Sequence, residues 1–421
     1  MPSQTLSGGA HHMLDTEAIR KDFPILQRDW GKRPPLVYLD SGCMTLKPRQ
    51  VIEAVVEYYE LHSACAGRSV HTLASQVSRR VDRSRTALRR FIGASRSQEV
   101  VFLRNTTEGI NMVSRGLDLR KDDAVVLSDR EHNSNLLPWL RLTSRKGVII
   151  RIVPSEDDGT FSTDALQEAL APGDVRVVSM AHTNNLDGYT IPMKAVAEIA
   201  HDRGSLVVVD GAQSVASLPV DVRDLDVDFF VFSVHKMLGP TGVGVLWGRW
   251  DLLDALPPYN VGGDTVTSVS LDGATYHPPP ARFEAGLQHY AGIYGAEAAV
   301  SYLKDIGMEN VHDHVVALNR MVTEAVADIP GVSVLGPQDA ELRGGLVNVT
   351  VEGVASHEVG MALDEIGNVA VRTGQHCNHL WFSSRGIEGA VRATFYIYNN
   401  EEDADAFATV LEKAISALRG A

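Results

Sequence analysis

The stretch Asp228 to Gly248, DFFVFSVHKMLGPTGVGVLWG, decides the fold. Phe229, Phe230, Val231 and Phe232 form an unbroken apolar run, the pattern of a strand buried on both faces in a mostly parallel sheet. Such a strand delivers the residues at its carboxyl end into a ligand crevice. Lys236 follows at once, ahead of the turn Gly239-Pro240-Thr241-Gly242, and lysine is rarely buried without a partner. Two readings of it stand side by side. One is a strand-end lysine that snorkels to solvent; the other is a desolvated amine, neutral enough to form a Schiff base with an aldehyde.

Working outward, apolar runs at 99–103, 124–127, 148–153, 175–181, 205–209 and 243–247 read as further strands. Helical periodicity at 49–61, 77–92, 163–170 and 193–203 separates several of them, which predicts βαβ units and a mostly parallel sheet covered by helices. A short helix is expected over 15–28 and a strand over 37–40. Pro257-Pro258 and Pro278-Pro279-Pro280 mark long loops near a lobe boundary. Beyond them, long helices at 292–306 and 309–329, strands at 332–335, 345–351 and 369–372, and a helix at 401–418 predict a smaller α+β lobe. The expected division is a flexible leader 1–14, an N-terminal segment 15–36 packing with the small domain, a large domain 37–290 and a small C-terminal domain 291–421.

Several strand ends carry chemistry. The strand at 205–209 runs into Asp210-Gly211-Ala212-Gln213. An acid on one strand tip and a lysine on the next match the needs of pyridoxal phosphate (PLP): the acid keeps the pyridine nitrogen protonated and the lysine holds the aldehyde. Gln213 is a candidate donor to the ring oxygen. Asn105-Thr106-Thr107 sits where a strand hands over to a helix, either a plain N-cap or a phosphate cradle, and Ser233 and His235 add two donors. His132 follows another strand, placed to stack on a ring and shuttle protons. In the small lobe, Arg372-Thr373-Gly374-Gln375-His376-Cys377 and Arg392 offer a thiol beside His376, His379 and arginine, and a guanidinium for a carboxylate. Cys43 and Cys65, among small residues, read as structural. No nicotinamide dinucleotide fingerprint opens a helix.

Composition narrows the partners. The 421 residues exceed one growing core. A net charge of −14 opposes nucleic acid and anionic lipid, and no run is long enough to span a bilayer. The first residues lack a signal peptide's pattern, and three separated cysteines fit a reducing cytoplasm. No metal is expected.

Taken together, from about Leu39 to Leu418, these motifs resemble fold-type I PLP enzymes of the class V aminotransferase group, and more closely the SUF-type (class II) cysteine desulfurases and selenocysteine lyases. The resemblance implies the aldehyde-binding lysine at Lys236, cofactor contacts at Thr106, Thr107, His132, Asp210, Gln213, Ser233 and His235, and an asparagine near the substrate at Asn185. It implies a persulfide-forming cysteine at Cys377 in Arg372 through Cys377, a carboxylate-binding arginine at Arg392, and acid/base work by His132. The implied reaction converts L-cysteine to L-alanine, leaving sulfur on Cys377 for an acceptor protein, in a homodimer supplying iron–sulfur assembly or a dedicated pathway. L-selenocysteine is the alternative substrate, and an aminotransferase, an epimerase, another carbon–sulfur lyase or a non-enzymatic sulfur-delivery scaffold are the rival functions. Two positions depart from the family. Leu287 stands where a threonine often contacts the phosphate of the second subunit, and Ser41-Gly42-Cys43-Met44-Thr45 replaces a run of small residues.

Overall fold

A computed structural model describes residues 13–420. In chain order its strands are β1 (Val37–Tyr38), β2 (Val100–Leu103), β3 (Ala124–Ser128), β4 (Ile149–Val153), β5 (Val175–Ala181), β6 (Leu206–Asp210), β7 (Phe229–Ser233) and β8 (Gly244–Gly248). After them come β9 (Val266–Ser270), β10 (Gly273–Tyr276), β11 (Val332–Val334), β12 (Leu346–Val351), β13 (Val369–Ala370), β14 (Arg372–Gly374) and β15 (Ala390–Thr394). The fold is α/β, built on a seven-stranded sheet of order β2-β8-β7-β6-β5-β3-β4. β8 alone runs antiparallel to its neighbours β2 and β7, and the pairs β7 to β6, β6 to β5, β5 to β3 and β3 to β4 are parallel.

Two apolar cores explain why these segments are strands and read as continuous hydrophobic runs. Val100, Phe102, Val126, Val207, Val209, Phe230, Phe232 and Val245 point into one core, while Val101, Val125, Leu127, Val208, Phe229, Val231 and Leu246 point into the other. The two-residue alternation is intact; each face simply meets its own layer of helices. A third core lies under the four-stranded antiparallel sheet β11-β12-β15-β14. There Phe407, Leu411 and Ile415, on one face of the helix Glu401–Gly420, pack against Val347, Val349 and Val391.

Departures from the sequence expectation have local causes. The helix expected over 15–28 is Thr16–Lys21 followed by a separate turn Pro24–Gln27, because Pro24 forces Phe23 into extended backbone. The strand expected at 369–372 is split into β13 and β14, and β15, not expected from sequence, completes the smaller sheet. Within the Pro-rich passage read as loop lies the hairpin β9–β10. Of the leader 1–14, residues 1–12 lie outside the described residues, and the Leu14 N–H is 3.4 Å from His314 Nδ1.

Candidate active site

Asn105 to Thr107 follow β2, His132 follows β3, Asn185 follows β5, Asp210 ends β6, and Ser233 to Lys236 close β7. These carboxyl ends line one cavity of about 270 Å³, where they meet Arg372, His376, Cys377 and Arg392 from the smaller sheet and Gly42 and Cys43 from the loop after β1. All twelve residues singled out from sequence as site candidates thus gather at one place: Thr106, Thr107, His132, Asn185, Asp210, Gln213, Ser233, His235, Lys236, Arg372, Cys377 and Arg392.

Lys236 is pinned through its loop. The His235 carbonyl accepts from Thr45 N at 3.2 Å, Thr45 Oγ1 at 3.0 Å and Lys47 Nζ at 2.9 Å. Thr45 Oγ1 in turn accepts from Leu238 N at 2.9 Å. Burial lowers the Lys236 ammonium below its ordinary range; the nearby Asp210 carboxylate opposes the shift and Arg392 adds to it. Lys236 is half-buried and lines the cavity, which sets the snorkelling reading aside. Asp210, 6% exposed, accepts from Ala212 N at 2.9 Å, and burial pushes its carboxyl up against the pull of Lys236. The protonated pyridine nitrogen of PLP would supply the countercharge that a carboxylate buried at Asp210 calls for.

The phosphate end has a matching cradle. Asn105 caps the helix Thr106–Gly116, its Oδ1 accepting from Glu108 N at 3.0 Å. Thr106 N donates to Ser233 Oγ at 2.8 Å, the Thr106 and Ser233 hydroxyls lie 2.7 Å apart, and Thr107 Oγ1 is 2.7 Å from Ser134 Oγ. A helix N-terminus flanked by four hydroxyls suits a dianion. Gly244 allows this approach: a Cβ there would lie 2.6 Å from Asn105 Cα. The residues present fit PLP in acid, amine and phosphate seat.

His132 Nδ1 accepts from Ser134 N at 3.0 Å, which leaves the proton on Nε2. Burial, reinforced by Lys236 and by Arg392 and Arg372, pushes its pKa down to about 3, so the ring is neutral. His235 is held neutral by burial and by Lys236 and Lys47, at about 4.

Some expectations change. Gln213 Nε2 donates to the Gly42 carbonyl at 2.8 Å, tying the loop after β1 to the site. Asn185 uses its amide N–H groups on His376 O and Asn378 Oδ1, both at 2.7 Å, so it braces the Cys377 loop from within the cavity wall. His376 does not supply positive charge to the thiol: burial and the two arginines push it to about 2, and both ring nitrogens are buried without partners. His379 Nδ1 is engaged by Asn133 Nδ2 at 2.8 Å. The cations beside Cys377 are instead Lys236 and Arg392. Arg392, 3% exposed, donates to Asn185 O at 2.8 Å, faces Asp40 at 3.8 Å and leaves Nε unpartnered. His376 and Cys377 both adopt left-handed backbone, φ 49° and 63°, which turns the thiol into the cavity wall. Cys43, read from sequence as structural, also lines the cavity, with Arg372 Nη1 3.1 Å from its sulfur.

Sequence reading missed Glu131 and Lys47. Glu131 is buried beneath the site, bound by Asn135 Nδ2 at 2.7 Å and Ala181 N at 3.1 Å, and burial raises it to about 7. Burial lowers Lys47 to about 7. Only its place directly before His132, just past the apolar run Ala124 to Leu127, hints at the first. Leu287, in contrast, is 66% exposed. Its turn is docked by Glu284, which accepts from Phe102 N at 2.7 Å and pairs with Arg85 at 2.6 and 2.8 Å.

A strand-end lysine lining the cavity, a buried acid on the neighbouring strand and a hydroxyl-lined helix start define an enzyme built around a phosphorylated aldehyde. The chain belongs to the aminotransferase class-V family, whose pattern it matches over residues 37–407. It is 39% identical over 407 residues to a probable cysteine desulfurase of Streptomyces coelicolor, covering 95% of this chain and 97% of that protein. To a cysteine desulfurase of Haloferax volcanii it is 38% identical over 416 residues, covering 95% and 97%. Among solved structures it resembles the apo cysteine desulfurase of Thermococcus onnurineus, with TM-score 0.91, 33% identity and coverage of 97% and 100%.

Proposed function

We propose that this chain is a PLP-dependent cysteine desulfurase that converts L-cysteine to L-alanine and leaves the sulfur on Cys377. The observation that carries the reading is a thiol, Cys377, in the same cavity as Lys236 and Asp210, since aminotransferase or epimerase chemistry has no use for one there. Lys236, Asp210, Gln213, His132, Ser233, His235, Thr106 and Thr107 would hold the cofactor, which when bound withdraws electrons from the substrate carbons.

The residues of this chain do the rest. Arg392, whose Nε is free and buried, takes the substrate carboxylate, with Arg372 opposite it in register on the adjacent strand. Lys236, lowered by burial, takes and returns a proton at the substrate α-carbon. His132, neutral and carrying its proton on Nε2, is the second acid/base. The Cys377 thiolate attacks the substrate sulfur; the carbon–sulfur bond breaks, its electron pair stays with the carbon, and protonation there completes alanine. The sulfur remains as a persulfide, and Asn185 fixes the loop that carries it.

The same reading assigns an acceptor protein for the persulfide, a cytoplasmic location fitting three unpaired thiols, and a homodimer. Dimer formation is supported by Val261, Val269, Leu271 and Leu287, each 64% exposed or more, around the hairpin β9–β10 and a cavity of about 510 Å³. Two lobes are supported by the separate core under the smaller sheet, and the packing of 15–36 on the small domain by Arg20 bonding Asp403 and the Tyr398 carbonyl, both at 2.9 Å; Val37 and Leu39 belong to that smaller core and Ile293, Ala296, Val300 and Leu303 to the larger one, so the bounds at 37 and 291 do not follow the cores. Among the described residues no helix is long and apolar enough to cross a membrane. Incubating the PLP-loaded protein with L-cysteine and no keto acid tests the reaction: alanine accumulates if it is a desulfurase, and forms only when pyruvate is added as amino acceptor if it is an aminotransferase.

A further inference from the structure

The cavity holds two cysteines, and the mechanism uses one. Cys43 and Cys65 were alike in sequence, yet their surroundings differ. Cys65 packs against the large apolar core, the setting of an inert thiol. Cys43 belongs to none of the apolar clusters of the described residues; it is half-buried, lines the cavity with Cys377, and its sulfur lies 3.1 Å from Arg372 Nη1. Partly exposed sulfur beside fixed positive charge is the setting of reactive cysteines.

The loop that carries Cys43 is tied down by hydrogen bonds. Ser41 Oγ is 2.6 Å from Tyr398 Oη, the Cys43 N–H donates to Asp40 O at 3.0 Å, and the Gly42 carbonyl is held by Gln213. A Cβ on Gly42 would stand 2.8 Å from Thr394 Oγ1 and 3.1 Å from Arg392 Nη2, so the loop is pressed onto the arginine pair. Around the two thiols, His376 and Arg392 line the same cavity, and their ring nitrogens and Nε are buried without partners. One ring N–H of the neutral His376 and the Nε–H of Arg392 are thus donors left without acceptors in the wall around the two thiols.

We propose that Cys43 is a second sulfur-accepting residue, which takes the outer sulfur from a Cys377 persulfide and holds it at the Arg372 guanidinium. The inference rests on the desulfurase reading. In the step, the Cys43 thiolate attacks the outer sulfur of Cys377–S–SH; a sulfur–sulfur bond forms at Cys43 as the one at Cys377 breaks, and Cys377 leaves as thiolate. The proton stays on the transferred sulfur and no oxidant or reductant is consumed. Cys377 is then free for a second turnover while the first sulfur waits at Cys43.

The test gives the holoenzyme L-cysteine without reductant or acceptor, quenches it by alkylation and weighs the peptides bearing each cysteine. The wild type carries an added sulfur on both, Cys43→Ser on Cys377 only, and Cys377→Ser on neither. The alanine burst of Cys43→Ser falls to about half that of the wild type. An unmodified Cys43 beside a persulfidated Cys377 in the wild type overturns the relay and leaves the desulfurase standing. A Cys43–Cys377 disulfide, or sulfur on Cys43 in Cys377→Ser, also overturns it. If neither cysteine gains sulfur and no alanine forms, the desulfurase reading falls with it.

Discussion

Arg392 shows how one side chain is asked to serve structure and substrate at once. It donates to the Asn185 carbonyl while Nε stays free in a buried wall, and a charged hydrogen bond of this kind is worth about 1.5–3 kcal/mol. Arg392→Gln, which removes the guanidinium charge, should therefore raise the KM for L-cysteine roughly ten- to a hundredfold while retaining the visible absorbance of bound cofactor; an unchanged KM would remove the carboxylate from Arg392. At this scale the sequence was legible wherever a residue sits at the end of its own strand: Lys236, Asp210, His132 and Thr106 each announce themselves by the apolar run before them. It was illegible where the meaning comes from a distant partner. Cys43 gains its character from Arg372, 329 residues away, and Lys47 from the His235 carbonyl, 188 residues away. The charge on His376 was misjudged for the same reason, since the two arginines and the burial that keep it neutral are tertiary facts.

Among the elements, β8 is the one whose placement the phosphate seat depends on. It runs antiparallel between β2 and β7, and Gly244 at its start lies against the backbone of Asn105. Gly244→Ala puts a methyl where only main chain fits, and overpacking of this kind costs about 1–3 kcal/mol. The expected result is a lower denaturant midpoint together with faster loss of cofactor on dialysis; retention of both would mean that the Asn105 turn yields freely. The parallel strands were readable because burial on both faces writes them as solid apolar runs. β9 and β10 were not, since most of their residues are exposed and they lack any core signal. The helix start at Pro24 and the division of β13 from β14 were blurred because periodicity carries across a short break.

The whole molecule stores its acid sensitivity in buried neutral histidines. His132 is lowered to about 3, His182, His235 and His314 to about 4, and His376 to about 2, in every case chiefly by burial. An unfolded chain binds protons at these rings near 6.5 and the folded chain does not, so stability is full above that pH and is lost as pH falls toward the folded values. Glu131, raised to about 7 from 4.5, acts oppositely and weakens the fold as pH rises through that interval. Asp40, Asp187, Asp210 and Asp403 are raised by burial as well and act with Glu131, while the five histidine rings act against them, so it is the histidine part of the unfolding free energy that should drop from about pH 6.5 to 4.5. His314 lies outside the cavity, its Nε2 2.9 Å from the Asn399 carbonyl; His314→Gln should lessen the slope by up to about 1.4 kcal/mol per pH unit, measured by denaturant titration, and an unaltered slope would exclude it as a contributor. The fold class was readable across the chain because alternating strands and helices are local signals; how the smaller sheet sets Cys377 over Lys236 was not, because that depends on the docking of two layers. On that docking rests the central claim, that Cys377 is the residue which receives sulfur. The direct measurement is sulfide released from L-cysteine with reductant, alongside the mass of the Cys377 peptide, for the wild type and Cys377→Ser. The account predicts a persulfide on wild-type Cys377 and loss of sulfide release in the variant with its cofactor still bound; release at the wild-type rate by Cys377→Ser would contradict it.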